Sequence, residues 1–370
     1  MTKRFTRTLA AVALGASAAM AMTACSGPSQ THSDESAGLP SSIELVVPFA
    51  AGGGTDTWAR FVAPYLEKKI EGNPKIVVEN QPGGESITGT NKFVTSGSTD
   101  GSQLLVTSGS TYIPALLNRS EVKYDFTKLV PVVVNGTGGA VYVSSSTGIK
   151  QASDLAGFDK TLSYGGISAT GNDLVTLLAM DVLDIDIDAT FGFEGRGPAR
   201  LALERGEVNL DYQTTSAFVS QVQPMIDDGK ATALFSFGVP EDGEIVRDPA
   251  LPDLPTLEEV YENINGEAPS GEAYDAYRAF LSAGYFYQKG IWVNEGTDPA
   301  VVDALRAAAK ELSTDEEFIA KSKDALGGYP LVSGDEAQED LTKTFDVSEA
   351  VRNYTLDLLK NSYDVTVDTK

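Results

Sequence analysis

A glycine-rich loop after an apolar run is the stretch of this sequence best suited to hold a ligand. Gly52, Gly53 and Gly54 follow the segment IELVVPF directly and precede Thr55 and Asp56. Glycine lets the backbone approach a ligand closely, and the N–H groups at the start of a helix carry partial positive charge. The loop is therefore a candidate cradle for a small anionic group. The alternative is a tight turn whose glycines only relieve backbone strain.

Two nucleotide-binding motifs are excluded by the residues after the glycines. A P-loop needs lysine and then serine or threonine after its last glycine, whereas this loop continues with Thr55 and Asp56. A dinucleotide fingerprint needs a further glycine three residues beyond Gly54, where Thr57 stands. Asp56 would also repel a phosphate. Its carboxylate suits a ligand that carries a hydroxyl, amine or amide donor as well as an anionic group.

A strand and a helix must hold this loop in place. The β-branched run IELVVPF is typical of a buried parallel strand. The apolar residues from Trp58 to Leu66 recur at i, i+3, i+4, i+7 and i+8, which predicts one buried face of a helix. Pro64 lies within this helix and is expected to kink or shorten it.

Further strand, loop and helix sets along the chain predict an α/β fold with two domains. About 330 residues follow the N-terminal segment, more than one core usually holds. KIVVEN precedes a glycine loop at residues 81–86, and TLSYGG precedes a loop with Ser168 and Thr170 before a helix capped by Asn172 or Asp173. Parallel α/β sheets bind ligands where their strands end, so loop sets in two domains imply a cleft between them.

Two other segments bear on this organisation. The run VPVVVNGTGGAVYVSSS at residues 130–146 holds two apolar stretches broken by glycines, which indicates a crossing between the domains. Arg196 lies in a loop after a later strand. Its guanidinium has two alternative roles, either pairing with a ligand carboxylate or only capping a neighbouring helix.

The N-terminus predicts export. Lys3, Arg4 and Arg7 precede an apolar segment from Leu9 to Met22, which is typical of a secretory signal peptide over residues 1–24. This apolar segment is too short for a stable membrane span.

Cys25 is the only cysteine and follows Met22-Thr23-Ala24. This stretch resembles a lipobox, whose cysteine is acylated and becomes the mature N-terminus; the alternative is a leftover free thiol. A single cysteine also excludes an internal disulfide. Residues 25–41 are polar with scattered glycine and proline, which predicts a flexible tether. The expected location is extracytoplasmic, with a lipid anchor on Cys25 as the only attachment to the membrane.

The charge of the chain excludes several partners. The sequence has 28 basic and 52 acidic residues and a net charge of −24, and removal of residues 1–24 takes away three basic residues and makes it −27. Because no lysine or arginine cluster interrupts this acidity, neither nucleic acid nor an anionic membrane surface is an expected partner. The only histidine, His32, lies in the tether, which excludes a Ser-His-Asp triad and histidine-bearing metal sites. No enzyme activity, cofactor or metal is expected.

Six motifs occur in the order seen in one family of binding proteins: VVPFAAGGGTD, VVENQPGG, TDGSQLLVTS, FEGRGPA, LPDLPTLEEV and WVNEGTDPAVVDAL. The chain resembles the substrate-binding proteins of tripartite tricarboxylate transporters, the TctC or Bug family, from Ile43 to Thr342. The resemblance implies a type II periplasmic-binding-protein fold, in which two α/β lobes close on a small carboxylate in the cleft between them. Lobe 1 is expected at residues 42–140 plus 266–370, and lobe 2 at residues 141–265.

The resemblance also implies which residues bind the ligand. In the family, two loops, at Phe49 to Asp56 and at Tyr164 to Asn172 here, grip the carboxylate, partly through ordered water. Backbone N–H groups of the first loop would donate to the ligand together with the hydroxyls of the second, and the Asp56 side chain would accept. The full predicted set is Phe49, Gly52, Gly53, Gly54, Thr55, Asp56, Gly83, Ser168, Thr170 and Arg196.

Two features depart from the family pattern. The second loop, YGGISATGNDL, is one residue shorter than usual and has Asp173 where the family has histidine. Residues 262–289 are additional, and helical spacing of apolar residues there predicts either a surface helix over the core or a lid or permease contact.

The expected function is that of a lipid-anchored, monomeric solute receptor that captures a small carboxylate and delivers it to membrane permease subunits. The alternative is a sensor that presents the same solute to a signalling receptor. Citrate-like, dicarboxylate, aromatic-acid and amino-acid ligands all fit the two loops, so the sequence does not choose among them.

Overall fold

The computed structural model of the protein describes residues 38–370. The predicted signal peptide, Cys25, His32 and all but the end of the predicted tether lie outside these residues. Among the helices of the described part, none is both long enough and apolar enough to cross a membrane.

The strands are short, and most coincide with the apolar runs of the sequence. They are β1 (Ser42–Val47), β2 (Lys75–Asn80), β3 (Gln103–Thr107), β4 (Val130–Asn135), β5 (Gly139–Ser144), β6 (Leu162–Gly166), β7 (Ile187–Phe191), β8 (Leu210–Thr214), β9 (Ala231–Ser236), β10 (Val239–Glu241), β11 (Glu244–Val246), β12 (Lys289–Val293) and β13 (Leu331–Ser333).

The helices alternate with these strands through most of the chain. They are α1 (Gly54–Lys69), α2 (Ile87–Ser96), α3 (Gly109–Leu116), α4 (Asp173–Val182), α5 (Arg196–Glu204), α6 (Thr215–Ala217), α7 (Gln223–Asp227), α8 (Leu257–Asn265), α9 (Glu272–Leu281), α10 (Pro299–Ser313), α11 (Glu316–Leu326), α12 (Gly334–Phe345) and α13 (Glu349–Tyr363). Short 3₁₀ turns at Ser145–Thr147 and Ala152–Leu155 and π turns at Phe218–Val222 and Ser282–Phe286 complete the set.

Two mixed sheets organise these elements. The first has the order β13-β4-β12-β3-β1-β2, and the second has the order β7-β6-β8-β5-β9. In the first sheet β1 is parallel to β2 and β3, whereas β12 is antiparallel to β3 and β4. Helices pack on both sheets, so the predicted α/β class is confirmed.

The chain passes between the sheets at residues 136–138. β4 belongs to the first sheet and β5 to the second, so the glycine-interrupted run joins the two sheets as the sequence predicts. Gly136 is required here because a Cβ at this position would lie 2.7 Å from the carbonyl oxygen of Phe286. The full bounds of the two lobes, at residues 42–140 plus 266–370 and 141–265, remain a prediction.

Helix α1 differs from expectation at Pro64. The helix continues past this residue to Lys69, so Pro64 does not shorten it, and the alternative of a kink stays a prediction. Ala63 and Leu66, on either side of the proline, are buried in the core of the first sheet. This tertiary packing offsets the hydrogen bond that proline cannot donate.

The additional segment at residues 262–289 contains α9 and leads into β12. Helix α9 buries Ala276, Tyr277, Phe280 and Leu281, and it packs against α4 and α13. Of the two alternatives for this segment, the buried face favours a helix that covers the core.

Candidate ligand-binding site

The N-terminus of α1 has free backbone donors. Gly53 is its N-cap residue, and no side chain of residues 38–370 caps the helix. Gly52, Gly53 and Gly54 are exposed, and a Cβ at Gly52 or Gly54 would meet no atom of this described part within 4 Å. Because the first N–H groups of a helix have no partner within the helix, this loop presents donors and partial positive charge to open space.

The Asp56 carboxylate is hydrogen-bonded to groups of the protein. It is buried, and it accepts hydrogen bonds from the Gly52 N–H at 2.8 Å, from Arg60 Nε at 2.9 Å and from Asn80 Nδ2 at 2.9 Å. Burial alone would raise the pKa of Asp56, but the hydrogen bonds from Arg60, Gly52 and Asn80 outweigh it and hold this pKa below its ordinary value.

These contacts bear on the predicted role of Asp56. Asp56 was expected to accept a donor from the ligand, yet its oxygens are already engaged with groups of the protein. In the structure it fixes the glycine loop against α1 and β2, and its acceptance of a donor from the ligand stays a prediction. Arg60, one turn further along α1, pairs with this buried carboxylate.

Lys289 stands at the same loop and was missed by sequence reasoning. Its Nζ donates to Thr55 Oγ1 at 3.0 Å, although the two residues are far apart in the chain. Burial lowers the pKa of this half-buried lysine to about 7. The only signal in the sequence is a lysine at the start of an otherwise apolar strand, which is too common a feature to mark a site.

The second predicted loop, between β6 and α4, is built around Asp173. The carboxylate of this residue accepts from the N–H groups of Ile167 and Ser168, both at 3.1 Å, and from the Tyr164 hydroxyl. The Ser168 and Thr170 hydroxyls lie 3.1 Å apart. Asp173, the residue that departs from the family pattern, therefore holds the backbone of this loop.

The second loop was expected to face the glycine loop at Gly52 to Asp56. In the structure it contacts Glu85 and Arg119 instead. Thr170 Oγ1 donates to Glu85 at 2.8 Å and accepts from Arg119 at 2.9 Å. A cavity of about 350 Å³ lies beside these groups, and the segment 365–368 also lines it. Among the described residues that line the cavity, none comes from Gly52 to Asp56. The structure thus brings Ser168 and Thr170 to the loop that contains Gly83.

The guanidinium of Arg196 is fully engaged by groups of the second sheet and its loops. Its guanidinium pairs with Asp173 at 2.8 Å and with Asp211, and it donates to the carbonyl oxygens of Gly165 and Tyr212. It also stacks 4.1 Å from the centre of the Tyr212 ring. All N–H groups of this arginine have protein acceptors, so the predicted pairing with a ligand carboxylate is not supported.

The two remaining predicted residues have modest structural roles. Phe49 packs on the core of the first sheet, and its carbonyl oxygen accepts from Asn80 at 3.1 Å. Gly83 adopts a φ of 140°, a value that favours glycine, next to the Thr88 side chain. Their contact with a ligand stays a prediction.

Comparison with known proteins confirms the resemblance seen in the motifs. No protein-family model matches the chain. The protein BugT from Bordetella pertussis is 24% identical over 317 residues, which are 84% of this chain and 86% of BugT.

Solved structures agree with the fold. The periplasmic binding protein BugD superposes with a TM-score of 0.60 at 22% identity, covering 86% of this chain and 97% of BugD. A protein from R. palustris with adipate gives a TM-score of 0.61 at 21% identity, covering 85% of this chain and 97% of the other. At this identity the likeness establishes the fold, and the predicted two-lobed architecture is confirmed.

Proposed function

We propose that this chain, a relative of the TctC and Bug proteins, is an extracytoplasmic solute-binding protein that captures a small carboxylate. The observation that carries this proposal is the uncapped N-terminus of α1, whose glycines face open space. BugD, described as a periplasmic binding protein, and the R. palustris protein with adipate support the same assignment.

A carboxylate fits this helix N-terminus for two physical reasons. Its oxygens accept from the N–H groups of Gly54 and Thr55, which no side chain of the described residues caps. The helix macrodipole adds attraction for a negative charge at the same position. Asp56 does not oppose this, since Arg60 neutralises its carboxylate.

We infer that the second sheet supplies the other side of the site when the two lobes close. The loop with Ser168 and Thr170 contacts Glu85 and Arg119 of the first part of the chain. A ligand that touches both sides favours the closed form only by its higher affinity for that form. We assign Ser168 and Thr170 to closure over the ligand, as the resemblance to the TctC and Bug proteins implies.

Delivery is the second half of the proposed function. A tripartite tricarboxylate-type permease would receive the solute from this protein, which is held at the membrane by acylated Cys25. Cys25→Ser should release the protein into the medium or leave an unprocessed precursor. A Cys25→Ser protein that is as membrane-bound and as processed as the wild type would contradict the anchor. Loss of solute uptake on deletion of the gene would support delivery.

A thermal-shift screen tests the binding proposal. Adipate, succinate, malate and citrate are suitable probes, and a bound acid at 100 Kd should stabilise the wild type by about 2.7 kcal/mol. Gly54→Val places a branched side chain in open space, so the protein should fold while the ligand loses its access to the backbone. Gly54→Ala, which adds one methyl group at the same position, is the matched control and should retain more binding. Equal shifts in the wild type and Gly54→Val would overturn the site.

A further inference from the structure

Lys289 is placed at the edge of the first sheet where the ligand loops emerge. It is the first residue of β12 and pairs in register with Asn135, the last residue of β4. β12 runs antiparallel to β3, and β3 is parallel to β1. The start of β12 therefore lies at the edge where β1 ends and its glycine loop begins.

The ammonium group of Lys289 has few partners. It has three N–H donors, and the hydroxyl of Thr55 accepts one of them. Among the described side chains, no carboxylate lies within 4.0 Å of its Nζ. A half-buried ammonium group that lacks a carboxylate partner reduces the stability of the fold.

The charged groups around Lys289 do not supply the missing partner. Asp56 and Arg60 are the charged residues of the first turns of α1, and they pair with each other. Of the neighbouring strands, β3 ends in Thr107 and β4 ends in Asn135, and neither side chain titrates.

We propose that Lys289 is a ligand-binding residue, whose ammonium group pairs with the carboxylate bound at the N-terminus of α1. This inference rests on the proposed function and deepens it, because it adds a formal positive charge to a site otherwise made of backbone N–H groups. The preferred solute is then a fully ionised carboxylate rather than a neutral polar compound. Thr55 positions the ammonium group before the ligand arrives.

A lysine with a pKa near 7 makes binding depend on pH. Below pH 7 the free protein already carries the charge, so Lys289 adds no further pH dependence to the affinity there. Above pH 7 the ligand must bring a proton with it, and affinity should fall about tenfold per pH unit until the pKa of the bound state is reached. Asp56 stays ionised throughout, since its pKa is lowered.

The experiment measures affinity for the best of adipate, succinate, malate and citrate by calorimetry at pH 6 and pH 8.5. The wild type should bind about 30-fold more weakly at pH 8.5. Lys289→Met should bind about 10- to 100-fold more weakly than the wild type at pH 6 and should lose the pH dependence. Lys289→Arg keeps a charge at both pH values, so it should bind without pH dependence.

Two further measurements separate a ligand-binding role from a structural one. Lys310→Met, which removes an exposed lysine paired with Glu336, is the control and should leave affinity and pH dependence unchanged. Without ligand, Lys289→Met should unfold at a higher temperature than the wild type at pH 6, because it removes a half-buried charge that lacks a carboxylate partner.

The outcomes distinguish this inference from the proposed function. Equal affinity of the wild type and Lys289→Met at pH 6, or a Lys289→Met protein less stable than the wild type, would overturn this inference alone. If none of the four acids binds the wild type at either pH, both proposals are overturned.

Discussion

Arg196 and Lys289 are two half-buried cations at loops of the two sheets, and they have opposite environments. Arg196 is paired with Asp173 and Asp211 and donates to backbone carbonyls. Within residues 38–370, Lys289 has only the Thr55 hydroxyl as a side-chain partner. The arginine is the residue type best suited to grip a carboxylate, yet the structure uses it to hold its own sheet together. A cation available to a ligand is identified by its missing partners rather than by its residue type.

The largest expected effect comes from removing the paired cation. Arg196→Met leaves two buried carboxylates without their partner, which should lower the free energy of unfolding by about 3–5 kcal/mol. Urea unfolding followed by circular dichroism measures this change. Arg200→Met, which breaks an i,i+4 pair with Glu204 on the same helix, is the control and should cost about 0.3–0.5 kcal/mol.

Arg196→Met also tests the contrast drawn between Arg196 and Lys289. If Arg196→Met were as stable as the wild type but bound no carboxylate, Arg196 would be the ligand-binding cation after all. The roles assigned to the two cations would then be reversed.

Removing Lys289, the cation without a carboxylate partner, should change the free energy of unfolding in the opposite direction. At pH 6, Lys289→Met should raise the free energy of unfolding by about 1–3 kcal/mol, the range for a buried polar group without full hydrogen bonding. The pKa of Lys289 is lowered to about 7 from 10.5, so between these values the unfolded chain binds the extra proton. The stability of the wild type should therefore rise with pH across this window relative to Lys289→Met. A difference between the two proteins that stays constant from pH 6 to pH 10 would contradict the assigned pKa.

The smallest effect concerns the contact between the two sides of the site. Thr170→Val removes a hydroxyl that bonds both Glu85 and Arg119, and it should lower the free energy of unfolding by about 0.5–1.5 kcal/mol. Thr95→Val, on an exposed helix position, should change it by less than about 0.5 kcal/mol. Equal effects of the two substitutions would show that the contact with Thr170 adds no stability.

Local patterns were sufficient to predict much of the fold. The run that becomes β1, the glycine loop and the buried face of α1 are all contained in residues 42–69, so their spacing alone indicates them. The two-lobed arrangement was implied by the resemblance of six motifs to the TctC and Bug proteins. Pro64 does not shorten the helix because packing on both sides of it, which the sequence does not reveal, stabilises the helix.

Side-chain partners that are distant in the chain were not predictable. Lys289 reaches Thr55 only because β12 is inserted between β3 and β4. The guanidinium of Arg196 is engaged partly by Asp211, a residue of the neighbouring β8. Such pairings follow from strand order, and they decide which charged groups remain free for a ligand.

A crystal structure of the protein with the tightest-binding carboxylate tests the central claim most directly. The predicted result is a carboxylate whose oxygens lie within about 2.7–3.2 Å of the Gly54 or Thr55 backbone nitrogen and of Lys289 Nζ. A carboxylate bound to Arg119 in the cavity beside Thr170, with the N-terminus of α1 left open to solvent, would contradict it.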